Sequence, residues 1–245
     1  MSHLQSNRAE WPAEGTIFPI SVVRIDVSPE PHPFHVAEVE RARESWQREI
    51  AANPHLFDGR MVLQRAIRIE DGRIAASGHI VPYSTFLWWR RSRAPEALHI
   101  FGMPLLLSSD GAIIAIRMGS HTANAGRVYC PGGSLEPEDI VDGRCDLDGN
   151  IVREVREETG IELSEATAEP GYQAVHMNST LIVFRIHRLQ GTADEIVARV
   201  AEHVAADPHP EIDEAVAIRG PDPEAHNYPG FIPPILEWLF VKNGR

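Results

Sequence analysis

The chain has 245 residues, 43% of them hydrophobic and 24% charged, which is the range of ordinary globular proteins. Its length allows one large domain or two small ones. Asp and Glu outnumber Lys and Arg by 35 to 23, a formal net charge of −12. A duplex-binding protein needs cations to displace counterions from phosphates, so this balance argues against general nucleic-acid binding. It leaves room for a small phosphorylated molecule, because a divalent metal reverses the local sign.

Two cysteines, Cys130 and Cys145, are too few for a disulfide framework and point to a reducing compartment, so a cytoplasmic location is expected. The opening MSHLQSNRAEWPAEG has no apolar core, and no stretch approaches 18 apolar residues. Both observations argue against a signal peptide or a membrane span.

In chain order, residues 1–15 are polar and read as a disordered terminus. A β-rich run at 16–27 ends at the proline-rich SPEPHPFH. Residues 36–52 have helical spacing, with Ala37, Ala42, Trp46 and Ile50 roughly on one face. Two strands surround the turn at Asp71-Gly72, and residues 83–91, with the adjacent Trp88 and Trp89, suit a short helix. The polar Arg93-Ala94-Pro95-Glu96 reads as a boundary. It divides an α+β unit at 16–96 from a larger unit at 97–245.

Beyond it, a second hairpin is expected around Ser109-Asp110-Gly111, then a loop SHTANAGR, a short strand VYC and the loop PGG at Pro131 to Gly133. A helix should begin near Asn150 and stop at Gly160. Strands are expected at 169–177, 180–189 and 215–218, and helices at 193–206 and 233–241. The elements alternate without a regular βαβ rhythm, so the fold class is α/β with a mixed sheet.

The chemistry concentrates in REVREETGI, Arg153 to Ile161. On a helix, Glu154, Glu157 and Glu158 share one face. Three clustered anions repel unless a cation lies between them, and hard ions such as Mg²⁺ take oxygen ligands. From Glu136 to Glu158 there are nine acids against three arginines, half the net charge of the whole chain.

Arg-Glu-apolar-x-Glu-Glu-x-Gly-apolar after a Gly-Gly loop resembles the carboxyl half of the Nudix box, and the resemblance extends from Ala97 to about Val241. It implies an α/β/α sandwich around a mixed sheet, with the small amino-terminal α+β unit appended. The implied activity is metal-dependent cleavage of a diphosphate linked to another moiety, with Mg²⁺ or Mn²⁺ as cofactor. By similarity, Glu154, Glu157 and Glu158 hold metal and Arg153 orients a helix carboxylate. Gly133 is the first glycine of the box, and Gly160 closes its helix.

The box departs from the pattern in one respect. Asp139 stands where a glutamate is expected, and thirteen residues separate it from Arg153 instead of seven. A six-residue insertion therefore lies within DIVDGRCDLDGN. Either it loops out and Asp139, or its neighbour Glu138, keeps the outer role, or that role has lapsed. The second case would leave a non-catalytic ligand-binding or regulatory module.

By position in the resembled fold, Glu211, Asp213 or Glu214 supplies a further acid that binds metal or acts as general base, and Glu214 is taken as catalytic. Arg117, His121 and Arg127 are expected at the substrate, with Gly132 and Gly133 against the diphosphate and Asn124 along the pocket. Trp88 and Trp89 suit a packed interface better than a stacking platform. The segment NPHLFDG before a strand resembles the start of Nudix proteins acting on UDP-sugars. The amino-terminal unit is expected to cover one side of the substrate cleft, and its apolar face could instead pair in a homodimer.

Overall fold

A computed structural model of the chain describes residues 4–242. In order the elements are β1 (Phe18–Ile20), β2 (Val22–Ser28), α1 (Pro33–Ala52), β3 (Arg60–Glu70), β4 (Arg73–Pro82) and α2 (Tyr83–Ser92). There follow β5 (His99–Leu107), β6 (Ile113–Met118), β7 (Val128–Tyr129), β8 (Ile140–Val141), β9 (Arg144–Cys145) and α3 (Leu147–Thr159). The chain closes with β10 (Thr167–Ala168), β11 (Tyr172–Met177), β12 (Thr180–Arg188), α4 (Ala193–Ala206), β13 (Ile212–Ile218) and α5 (Ile232–Leu236). α5 runs on into a wider π-helical turn, Glu237–Lys242.

Among the described residues these strands form two mixed sheets. One runs β1-β11-β12-β5-β6-β13, with β10 on β12 and β7 on β6; the other runs β3-β4-β2-β9-β8. β5 pairs in parallel with β12, and β2 with β4. All nine residues of β5 are buried, the mark of a strand covered on both faces. Alternation along β5 sets the layers. Gly102 faces α3, where an added Cβ would meet Ile151 and Leu147 at 2.8 Å. Phe101, one step along, points the other way and meets Phe231 at 5.5 Å. Helical segments thus cover both faces of the first sheet, an α/β/α sandwich. No helix among the described residues is long and apolar enough to cross a membrane.

Three expectations are corrected. The run at 16–27 is two strands in different sheets: Phe18 pairs with Ala174 of β11, whereas Val22 pairs with Arg73 of β4. The described part of the terminus is folded, with a turn of 3₁₀ helix at Arg8–Glu10 and a buried Trp11 whose indole N–H donates to Asn7 at 3.0 Å; residues 1–3 lie outside the described residues. Finally, the boundary at 96 is not a break. Gln64 and Leu98 exchange backbone hydrogen bonds of 2.9 and 2.8 Å across it, and the buried Gln64 Oε1 accepts from the Ile100 N–H at 2.7 Å. A fully desolvated amide with its polar atoms satisfied ties the second sheet to the first.

The six-residue insertion is a discrete hairpin, residues 140–145, made of β8, a turn at Asp142-Gly143 and β9. Its ends meet: the Asp146 N–H donates to the Asp139 carbonyl at 2.8 Å. It is no passive bulge, because Val27 N–H donates to Gly143 and Arg144 ion-pairs with Asp26 at 3.2 Å. Deleting residues 140–145 should therefore give a folded protein less stable by about 2 kcal/mol, mostly lost ladder hydrogen bonds. Urea denaturation would measure it; an unfolded deletion mutant would show that the hairpin is required to form the second sheet.

Candidate functional site

α3 carries the glutamates, and its ends are set locally. Asp146 caps the start, accepting from the Gly149 N–H at 3.0 Å, and Gly160 ends it with φ +68°. Leu147, Ile151 and Val155 recur every four residues and pack inward, so Glu154 and Glu158 are carried toward the PGG loop while Glu157 stays at the solvent rim.

Of the two loop glycines the first is sterically required and the second lies against Glu154. Gly132 has φ +151°, and a Cβ there would lie 2.7 Å from the Gly102 carbonyl. Its N–H donates to Glu158 Oε2 at 2.9 Å. A Cβ on Gly133 would come within 2.4 Å of the Glu154 carboxylate. The loop fits this close because β5 and β6 pair only at Leu106 and Leu107, and Pro104, with no N–H to offer, stands where they part. Gly133→Ala should leave the fold intact, since its backbone is unstrained, but push Glu154 aside and weaken divalent-metal affinity at least tenfold, which calorimetry with Mn²⁺ would show. Unchanged affinity would remove Glu154 from any metal site.

Arg153 holds the acids together. Its guanidinium lies 3.2 Å from Asp139, 2.9 Å from Glu154, 3.0 Å from Glu157 and 3.6 Å from Glu138. Asp139 is buried, accepting also from the Glu136 N–H at 2.8 Å and Asn150 Nδ2 at 3.0 Å. The hairpin therefore loops out and leaves Asp139, not the exposed Glu138, buried against Arg153. Burial works against the Arg153 cation, but Glu154, Asp139 and Glu157 outweigh it and its pKa is raised.

The glutamates themselves are held with too little positive charge. Burial raises Glu154 to about 7 against the pull of Arg153, with Glu157, Glu136 and Glu211 adding. Burial, then the Glu154 charge, lifts Glu158 well above the carboxylate range; the Gly132 N–H opposes this, and Glu211 and Glu157 add to it. Among the described residues no three His, Cys, Asp or Glu side chains form a ready-made metal cluster. The donor set nonetheless suits a hard divalent ion: all oxygen, crowded, and mutually repelling for want of a cation.

The PGG loop also edges a cavity of 330 Å³. Its walls include Trp89, His99, Phe101, Tyr129 and Phe231, and its cationic side chains are Arg90, Arg93 and Arg127. Trp89 is fully buried, its indole N–H donating to the Ala94 and Ala97 carbonyls at 3.1 and 3.0 Å. Trp88 diverges to Glu38 on α1 at 2.9 Å. Burial drives His99 down to about 3, with Arg90 and Arg93 pushing the same way, so its ring is neutral. α2 thus lines one side of the cavity beside the glutamate helix.

Of the residues expected at the substrate, Arg127, Gly132, Gly133 and Asn124 line the cavity, while Arg117 and His121 do not. Arg117 lies opposite Glu214 in the β6–β13 ladder, and the two form an ion pair of 2.7 Å. The Glu214 carboxylate is thus engaged by Arg117. The charge of Glu211 acts on both Glu154 and Glu158, just ahead of a register shift between Ile212 and Glu214. His121 packs edge-on to His55, with ring centroids 6.0 Å apart. Sequence reasoning missed Arg90 and Arg93; the signal was the basic run RRSR directly after the tryptophan pair.

No protein-family model and no curated protein sequence matches the chain. Among solved structures it is similar to a MutT protein from Methanosarcina mazei Go1, at 18% identity over 60% of this chain and 96% of that one, with a TM-score of 0.42. It is also similar to an Ap4A hydrolase from C. elegans, at 10% identity over 58% and 97%, with a TM-score of 0.43. A Nudix hydrolase from M. smegmatis aligns at 11% identity over 60% and 84%, with a TM-score of 0.37.

Proposed function

We propose that the protein is a divalent-metal-dependent hydrolase that cleaves the diphosphate of a nucleoside diphosphate joined to another moiety, a sugar being the favoured case. The observation that carries this reading is the pair of carboxylates, Glu158 buried and Glu154 half-buried, set against a two-glycine loop and short of positive charge. Glu154, Glu157 and Glu158 are the residues that would hold Mg²⁺ or Mn²⁺. Such an ion supplies charge neutralisation at phosphoryl oxygens and makes water a better nucleophile near neutral pH.

The chain's own residues do the rest. The Gly132 N–H fixes one Glu158 oxygen, and Arg153 fixes Glu154 against the buried Asp139. Glu211, one of the three acids the sequence offered and the one whose charge is felt by both glutamates, takes the proton of the attacking water in this reading. The adjoining cavity orients one half of the substrate. The non-catalytic reading needs the outer acid to have lapsed, and the Asp139–Arg153 pair argues against that.

The test is a panel of nucleotide sugars, dinucleoside polyphosphates and nucleoside triphosphates with Mg²⁺ or Mn²⁺, separated chromatographically. Water should add across the P–O–P bond of a nucleotide sugar to give a nucleoside monophosphate and a sugar phosphate, and EDTA should abolish the reaction. No turnover of any compound with either metal would leave the ligand-binding module as the better reading.

A further inference from the structure

We propose that the cavity beside the glutamate helix binds the nucleotide half of the substrate, a nucleobase with its monophosphate, and that Arg90, Arg93 and Arg127 are its anion receptors. For which half of the substrate it assigns, this rests on the hydrolase reading above; for the ligand class, it rests on the cavity.

The charge of the lining is opposite to that of the protein. In a chain with a net charge of −12, three arginines and no carboxylate line this cavity. None of the three forms an ion pair among the described residues. Arg90 donates to Asn124 Oδ1 at 3.0 Å and Arg93 to the Asn178 carbonyl at 3.1 Å. Arg127 donates to Asn227 Oδ1 at 2.9 Å and the Tyr228 carbonyl at 3.1 Å. Arg91, next in sequence but facing away, is by contrast ion-paired with Glu49. Each guanidinium presents five N–H donors in a planar fork, so neutral partners position these three and leave donors over. Such forks suit phosphate, which accepts two parallel hydrogen bonds.

The walls specify the rest of the ligand. Phe101 stacks with His99 at an interplanar angle of 24°, and Phe231 meets Phe101 edge-on. Arg93, in a left-handed conformation with φ +51°, is held over the Trp89 ring, 5.7 Å from its centroid. Flat aromatic faces with cations beside them suit a flat ring carrying negative charge. A sugar presents many hydroxyl donors and is served by carboxylate acceptors, of which this lining has none. At 330 Å³ the cavity lies at the small end of ligand sites, which suits half of a nucleotide sugar and not the whole.

The test is equilibrium binding to the full chain in EDTA, by calorimetry and tryptophan fluorescence, with UMP and AMP as probes. Uridine, inorganic phosphate and glucose 1-phosphate are the comparison ligands. At least one nucleotide should bind without metal, at least about tenfold tighter than uridine, phosphate or glucose 1-phosphate. Arg90→Gln and Arg93→Gln should each weaken it about tenfold or more with unchanged thermal denaturation. If either variant unfolds, Arg127→Gln tests the same receptor from the far side of the cavity. No binding of either nucleotide at millimolar concentration overturns the assignment. So does tighter binding of glucose 1-phosphate, or full affinity in the folded arginine variants. Nucleotide binding without any hydrolysis in the panel would sink the hydrolase reading and leave the ligand class standing.

Discussion

Glu158→Gln should abolish nearly all turnover, by two orders of magnitude or more, and yet make the metal-free protein more stable at pH 8. Both effects have one cause. Glu158 is only 7% exposed, with Glu154, Glu211 and Glu157 all disfavouring its charge. Glutamine keeps the shape and the acceptor for the Gly132 N–H but removes the anion. Loss of one metal-holding carboxylate costs catalysis because charge on the phosphoryl group is then less well neutralised.

The stability effect has a definite sign. A carboxyl whose folded pKa lies above its unfolded value contributes stability below the unfolded pKa and loses it as pH rises through the folded one. For Glu154 that window runs from about 4.5 to about 7, and Glu158 is shifted in the same direction. Without metal, the wild-type melting temperature should therefore fall between pH 5 and pH 8, and Mg²⁺ should restore it. The glutamine variant should show a shallower fall and little response to Mg²⁺. A variant as active as wild type, or one less stable in EDTA at pH 8, would take Glu158 out of the role assigned here.

How legible this was in the sequence differed with the range of the interactions. REVREETGI announced α3 and its shared carboxylate face because the relevant spacing is local, three and four residues. Counting from the glycine loop left Asp139, its neighbour Glu138 or a lapsed outer role open, and the structure puts Asp139, not Glu138, in the buried contact with Arg153. The choice among Glu211, Asp213 and Glu214 for the further acid was not legible, because the register shifts between Ile212 and Glu214 at the start of β13 and pattern alone does not report a bulge.

The run at 16–27 was read as one strand because its apolar pattern is continuous, whereas the chain changes sheets at Ser21. The boundary at residue 96 looked real because loop residues are polar there. What crosses it are tertiary contacts such as those of the buried amide Gln64, whose partners lie over thirty positions away. Arg90 and Arg93 became receptor candidates only once α2 was seen beside β5, a tertiary juxtaposition absent from any window of sequence.

Arg153→Gln should be the most destabilising single change at the site. The guanidinium is 18% exposed and within 4 Å of four carboxylates, among them the buried Asp139 and the 14% exposed Glu154. Its contacts with the exposed Glu138 and Glu157 contribute little, as solvated pairs do. The loss falls on Asp139 and Glu154, because removing one partner of a buried pair leaves the other charge uncompensated, at a cost of about 3–5 kcal/mol. Asn150, already bonded to Asp139 through Nδ2 at 3.0 Å, has no positive charge to substitute. Protonation of the stranded Glu154 carboxyl, already raised to about 7, should offset part of the cost, so the deficit relative to wild type should be large at pH 8 and smaller at pH 5. Chemical denaturation at the two pH values in EDTA measures this directly. A deficit below 1 kcal/mol at pH 8, or one that grows on acidification, would mean that Arg153 is not what holds these acids in place.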